Sequence, residues 1–178
     1  MELRKGPWVT ISRGGLLALF LGVVVACQGH LFSYRGAVAR QESRLALREG
    51  GPHTGFLKTQ DLSVRYHYWR EQGNVELSGT VELAKSLRSN FTTLEHLFLE
   101  VHLLDAEGRV LESKGVLTSE YRHMVRKLPF KRSLELPPGT TAIAFSYTGR
   151  VRDGGGAGRV SGDAGDGDSW DFWMYPFR

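Results

Sequence analysis

Hydrophobic and polar residues alternate along most of the chain after residue 61, the pattern of half-buried β-strands. The clearest example is residues 96–104, whose one face is aliphatic: Leu97, Leu99, Val101 and Leu103. An Asp-Ala-Glu-Gly turn follows at residues 105–108, and a second alternating stretch begins after it. We therefore predict that this hairpin forms the centre of the fold.

Similar alternation recurs on both sides of the hairpin, with turn residues between the stretches. The predicted strands are residues 62–70, 75–83, 96–104, 109–118, 128–136, 141–151 and 170–175. Seven short strands with no long helix among them favour an all-β fold, a two-sheet sandwich of immunoglobulin-like type. A short tether helix is predicted over residues 37–49, ended by Gly50-Gly51-Pro52.

The N-terminal part of the chain has the composition of a signal or anchor segment. Three basic residues precede an apolar run at residues 16–26. A transmembrane helix needs roughly 20 apolar residues, whereas a signal-peptide core needs about 7–15. We therefore divide the chain into a signal peptide (1–26), a basic tether (27–61) and a β-sandwich domain (62–178).

The apolar run ends in Val24-Val25-Ala26-Cys27, which resembles the lipobox of bacterial lipoproteins. The resemblance implies that Cys27 receives diacylglycerol, that the chain is cut before it, and that a fatty acid such as palmitate acylates the new amine. It places the protein in the bacterial cell envelope, anchored in a membrane and facing the periplasm. By resemblance to enteric lipoproteins, the presence of Gln28 rather than an aspartate after the cysteine favours the outer membrane over the inner one. The alternative is an uncleaved anchor that continues through residues 28–32.

Three arginines recur every four residues in the predicted tether helix: Arg40, Arg44 and Arg48. On a helix they would form one cationic stripe, which close to a lipidated cysteine would contact anionic headgroups. The alternative is a solvated face of a linker helix.

Residues 62–150 contain, in order, a glycine-containing second strand at residues 77–81, the Asp-x-x-Gly turn, and a Pro-Gly pair before the strand that contains Phe145. This order of motifs resembles the bacterial FxLYD-like group of domains. The resemblance implies an accessory or binding role rather than catalysis.

Charge, cysteine count and the lack of catalytic motifs argue against several classes of function. The net charge is +4, of which residues 1–26 contribute +2, and the +2 that remains is no argument for a nucleic-acid binder, which should show a concentrated basic patch. With Cys27 as the single cysteine, no intrachain disulfide forms. No Gly-x-Ser-x-Gly nucleophile motif or phosphate-binding loop is present, so we predict neither an enzyme nor a cofactor.

Three surfaces are candidates for contact with a protein partner of unknown identity. They are a basic connection that contains Arg122, Arg126 and Lys127, the glycine-rich loop at residues 153–169, and an aromatic tail that contains Trp170 and Trp173. The alternative for the tail is core packing against Tyr68 and Trp69.

We place His96 and His102 on a solvent face, too far apart to share a metal ion.

Residues 153–169 are rich in glycine and aspartate and predict a mobile loop. Its calcium candidates are Asp163, Asp166 and Asp168, although their spacing fits neither an EF-hand nor a repeat-type calcium loop. The sequence therefore predicts a lipid-anchored, non-enzymatic interaction or accessory module. The alternative is a calcium- or ligand-binding sensor that uses this loop.

Overall fold

The computed structural model describes residues 33–153 and 168–177, most of which lie in β-strands. One turn of 3₁₀ helix, Gln41–Ser43, precedes the first strand, and a short helix α1, Lys85–Asn90, connects the fourth and fifth strands. The strands are β1 (Leu45–Ala46), β2 (Gly50–Lys58), β3 (Leu62–Glu71), β4 (Asn74–Leu83), β5 (Thr93–Leu104), β6 (Val110–His123), β7 (Lys127–Glu135), β8 (Ala142–Arg152) and β9 (Ser169–Met174).

These strands form two antiparallel sheets. The first sheet has the order β1-β8-β5-β6, and β9 also pairs with β8. The second sheet has the order β2-β3-β4-β7. β5 pairs with β6 on one side and β8 on the other, so the first strand of the predicted hairpin is central to its sheet, whereas its second strand, β6, lies at the edge.

The core lies between the sheets and follows from the alternation in the sequence. In β3, Leu62, Val64, Tyr66 and Tyr68 are buried, and the residues between them are half-buried or exposed. In β5, Leu97, Leu99, Val101 and Leu103 are all fully buried. Each such side chain contributes roughly 1.5–3 kcal/mol by leaving water. The period of two in the sequence therefore indicates both that these residues form strands and which face of each strand packs inward.

The turn between β5 and β6 forms as its residue types predict. The Asp105 side chain accepts a hydrogen bond of 2.7 Å from the backbone N–H of Arg109, and the Gly108 N–H donates to the Asp105 carbonyl. Gly108 has a φ of +84°, a left-handed conformation that glycine adopts without steric cost. This local chemistry ends β5 and reverses the chain.

A buried tyrosine links the sheets at one edge of the core. The Tyr147 hydroxyl on β8 donates to the Asp61 carboxylate at 3.0 Å and shares a hydrogen bond of 2.8 Å with the Thr59 hydroxyl. Thr59 and Asp61 belong to the turn between β2 and β3. Burial raises the pKa of Tyr147 well above its ordinary value. The neutral hydroxyl therefore joins the first sheet to the turn of the second.

The structure corrects the prediction for residues 33–61. The helix predicted over residues 37–49 is wrong, since that stretch holds only the 3₁₀ turn and β1. The Gly50-Gly51-Pro52 sequence opens the edge strand β2, where a proline is tolerated. The described chain therefore contains nine strands: the seven predicted stretches and two in the predicted tether. The compact unit begins at Tyr34, not at residue 62.

Candidate functional site

The outer face of the first sheet exposes several aromatic side chains. Phe98 on β5 pairs with Thr148 on β8, and Thr148 pairs with Trp173 on β9, so the three lie side by side on one face. Trp173 is 62% exposed, and Phe98 and Tyr175 are each 37% exposed. We call Phe98, Thr148, Trp173 and Tyr175, together with His96, the aromatic face.

The aromatic face surrounds a shallow depression of about 370 Å³. Its lining residues are His96, Thr148, Gly149, Asp171, Phe172, Trp173 and Tyr175. Phe172 itself points inward and is buried in the core. The sheet thus offers an open, partly apolar surface rather than an enclosed pocket.

The charged groups beside this depression neutralise each other. The Arg150 guanidinium donates two hydrogen bonds to the Asp171 carboxylate, at 2.7 Å to Oδ1 and 2.8 Å to Oδ2. The hydrogen bond from Arg150 holds the pKa of Asp171 below its usual range. His96 stacks on Phe98 with ring centroids 5.4 Å apart. Binding here would therefore depend on aromatic surface more than on net charge.

The first described residues of the chain lie at the border of the aromatic face. Tyr34 stacks on Phe177, with ring centroids 4.8 Å apart, and its ring lies 5.8 Å from that of Tyr175. Burial, and then the hydrogen bond to Tyr175, raises the pKa of Tyr34 to about 12. The polypeptide therefore joins the domain beside the exposed aromatic side chains.

Backbone hydrogen bonds fasten this segment to the sheet. The N–H groups of Gly36 and Ala39 donate to the carbonyls of Val110 and Gly108, both at 2.8–2.9 Å. The Arg40 N–H donates to the carbonyl of Pro176 at 2.7 Å. Residues 34–40 are thus part of the domain. Tyr34 and Ala37 pack against a second small cluster on the outer face, which consists of Ala39, Leu104, Val110, Ala142 and Ala144.

His102 lies beneath these terminal segments and is fully buried. Its Nδ1 is 2.7 Å from the Ser113 hydroxyl, and its Nε2 is 2.8 Å from the Ser146 hydroxyl. The rings of Tyr34 and Phe177 cover it edge-on. Burial lowers its pKa to about 4, so the imidazole is neutral at pH 7 and satisfies one donor and one acceptor.

The prediction of a solvent face is therefore wrong for His102. The parity of β5 does point His102 away from the core, but Tyr34 and Phe177, which are remote in sequence, cover it. His96 lies on the same face without that cover and is half-buried. Nothing in the alternation of β5 indicates which outward-facing residues another segment covers.

The predicted cationic stripe does not form. The Arg40 guanidinium donates to the backbone carbonyl of Tyr175, and Arg44 donates two hydrogen bonds, of 3.0 and 2.9 Å, to the carbonyl of Ala39. Arg48 is exposed. Because these residues do not share a helix, Arg40 and Arg44 are used to hold backbone carbonyls rather than to form one surface.

The predicted partner-contact residues are spread over the domain. Trp173 is in the aromatic face, whereas Trp170 is three residues earlier in β9 and so points to the opposite side, where it is 56% exposed. Arg122 is exposed, and Arg126 donates to Glu82 at 2.8 Å, which lowers the pKa of that carboxyl.

Lys127 belongs to a different surface, on the second sheet. It lies with Arg65 and His67 along a groove of about 300 Å³. The structure therefore does not bring Lys127 and Trp173 together in one site. Trp69, which the core alternative placed inside, is 47% exposed, while Tyr68 beside it is buried.

Several predicted residues lie outside the described part of the chain: Cys27, Asp163 and Asp166. Asp168 is exposed, and its backbone carbonyl accepts a hydrogen bond of 3.0 Å from the Asp153 N–H. Among residues 33–153 and 168–177, no three His, Cys, Asp or Glu side chains are grouped so as to hold a metal ion. Across the same ranges, none of the helices has the length and hydropathy needed to cross a membrane.

Sequence reasoning missed Phe98 in the aromatic face and Tyr34 at its border. Phe98 could have been found from the sequence, because it is an aromatic residue at an outward-facing position of an alternating strand. Tyr34 has no comparable signal, because its place depends on contacts with residues more than 60 positions away.

Comparison with known proteins finds no protein family that matches the chain, no similar curated protein and no similar solved structure.

Proposed function

We propose that this chain is a lipid-anchored protein of the bacterial cell envelope whose β-sandwich acts as a non-enzymatic interaction module. The observation that carries the proposal is the exposed aromatic face, beside which the charges of Arg150 and Asp171 are paired with each other. Exposed Trp and Tyr side chains provide contact area at a low entropic cost and are common at binding hot spots. The leader supplies the anchor, through acylation of Cys27, and the face supplies the contact.

The strand order supports an immunoglobulin-like classification of the domain. β3, β4 and β7 take the positions of strands A, B and E, while β5, β8 and β9 take those of C, F and G. β6 pairs with β5, as a C′ strand does in variable-type domains. Such sandwiches commonly serve as binding modules, which agrees with the function that we propose.

The location that we propose follows from the leader. A short apolar run that ends at the single cysteine, with a lipobox-like sequence before it, favours a lipoprotein in the envelope that faces the periplasm. Gln28 after the cysteine favours the outer membrane. Two or more acyl chains would hold the protein stably, since a single chain is marginal.

Intact mass and membrane fractionation of the natively expressed protein test the anchor. We expect the wild type to lack residues 1–26, to carry acyl mass and to sediment with membranes. Cys27→Ala should keep the leader and lose the acyl mass, whereas Gln28→Ala, which leaves the cysteine in place, should still be acylated. Retention of the full leader by both the wild type and Cys27→Ala would overturn the lipoprotein proposal.

A further inference from the structure

We propose that the aromatic face rests on the surface of the bilayer that holds the acylated Cys27. This inference rests on the proposed lipid anchor and adds a partner for the exposed aromatic side chains. The partner is the headgroup region of that membrane, and the contact is apolar and aromatic rather than ionic.

The length of chain outside the domain supports this partner. Residues 34–40 are hydrogen-bonded to the sheet, so only the six residues from Gln28 to Ser33 separate Cys27 from the domain. Even a fully extended chain of this length spans at most about 25 Å. The domain is therefore held closer to the membrane than a tether over residues 27–61, as the sequence predicted, would hold it.

The position at which the chain joins the domain indicates which face is nearest. Tyr34 lies in contact with Tyr175 and Phe177 on the outer side of the first sheet. The short linker thus leaves from the border of the aromatic face. If the aromatic face lies on the membrane, the linker does not have to pass around the sandwich. If the second sheet lay on the membrane, it would have to.

The side chains have the chemistry of the membrane interface. Trp and Tyr prefer the headgroup level because each has an apolar ring and a polar group that stays hydrated. Trp173 is the most exposed member of the face, at 62%, and Phe98 and Tyr175 add apolar surface beside it. Weak affinity is sufficient, since a short linker gives an effective concentration on the order of millimolar.

The charges beside the face favour apolar docking. Arg150 and Asp171 neutralise each other through two hydrogen bonds, and Arg40 is bound to the carbonyl of Tyr175. Ionic attraction between exposed charges and lipids weakens as salt is added, whereas apolar contact does not weaken in this way. Docking by the aromatic face should therefore survive high salt.

Tryptophan fluorescence with brominated lipids tests the proposal on the full, lipid-modified chain. Two variants are used, each with a single tryptophan left in the domain as the fluorescent reporter, and both carry Trp8→Phe and Trp170→Phe. The first variant also carries Trp69→Phe, so that Trp173 is its reporter. The second also carries Trp173→Phe, so that Trp69 is its reporter. Trp69 is a matched control because it is 47% exposed on the outer face of the second sheet.

Each variant is reconstituted into phosphatidylethanolamine and phosphatidylglycerol vesicles, with and without a brominated phosphatidylcholine, and far-UV circular dichroism verifies folding. We expect brominated lipid to reduce the emission of Trp173 and membrane contact to shift it to the blue, at low and high salt. The emission of Trp69 should stay unchanged. Phe98→Asp, at an exposed position, should abolish the quenching of Trp173.

The possible failures are distinguishable. Vesicle flotation without quenching of Trp173 would overturn docking while leaving the anchor intact. Quenching of Trp69 instead would show that the opposite face meets the membrane, and loss of Trp173 quenching at high salt would overturn apolar docking. A chain that does not float with the vesicles would overturn the lipid anchor itself.

Discussion

The buried His102 should make the stability of the domain depend on pH. Its pKa is lowered to about 4 in the folded state by burial, whereas an unfolded histidine titrates near 6.5. The unfolded chain therefore binds a proton more readily, and the free energy of unfolding falls as pH drops from above 6.5 toward 4. Linkage gives a loss of about 2 kcal/mol between pH 7 and pH 5, and about 3 kcal/mol by pH 4.

The surroundings of His102 explain why protonation is unfavourable. Ser113 and Ser146 can accept hydrogen bonds from an imidazolium, but neither carries a negative charge. Tyr34 and Phe177 shield the ring from water. A charge created there would be removed from water without an ionic partner among these four neighbours.

Urea denaturation at pH 7 and pH 5 measures the effect, with the wild type compared to His102→Gln. Glutamine can still donate and accept hydrogen bonds but does not titrate. Between pH 7 and pH 5 the free energy of unfolding should therefore fall by about 2 kcal/mol less in the variant than in the wild type, whatever the absolute stability of the variant. His67→Gln is the matched control, because it makes the same substitution at an exposed histidine on the second sheet. Equal dependence in the wild type and His102→Gln would refute the reasoning.

Two further predictions concern β8 and its partner β9, the strand that contains Trp173. Gly149→Ala should destabilise the domain by about 1–3 kcal/mol in urea denaturation, because the new Cβ would lie 2.4 Å from the Phe172 ring. Gly115→Ala, where a Cβ meets nothing within 4 Å, should change stability far less, and an equal loss would contradict the packing argument. Asp171→Asn should cost less than about 1 kcal/mol, since the ion pair with Arg150 is half-exposed, and a larger loss in the same assay would show a structural role.

Much of the strand pattern was predictable because burial imposes a period of two. The seven predicted stretches are all strands, and the Asp105–Gly108 turn forms where the residue types indicate. The prediction was wrong for residues 37–58, where helix-forming residues followed by a Gly-Gly-Pro stop signal favoured a tether with a short helix instead of strands. Pairing of β1 with β8 and of β2 with β3 overrides those local preferences.

The aromatic face was only partly predictable. Trp173 was a candidate because exposed aromatic residues are common at contacts, yet Trp170, its neighbour in the tail, points to the other side of β9. The cationic stripe failed because it depended on a helix. Arg40 instead binds the carbonyl of Tyr175 across the fold, and Arg44 binds the carbonyl of Ala39, five residues before it. A side chain's role depends on the backbone that presents it.

The sequence alone determined the alternating strands, the inward-facing aliphatic residues and the turns between them, since these depend on neighbours along the chain. Only the tertiary structure decided which outward-facing residues are covered. Tyr34 and Phe177 bury His102, while Trp173 and Phe98 remain exposed on the same sheet. The reason is physical: alternation specifies a side of the strand, but burial requires a second segment, brought there by contacts that are distant in sequence.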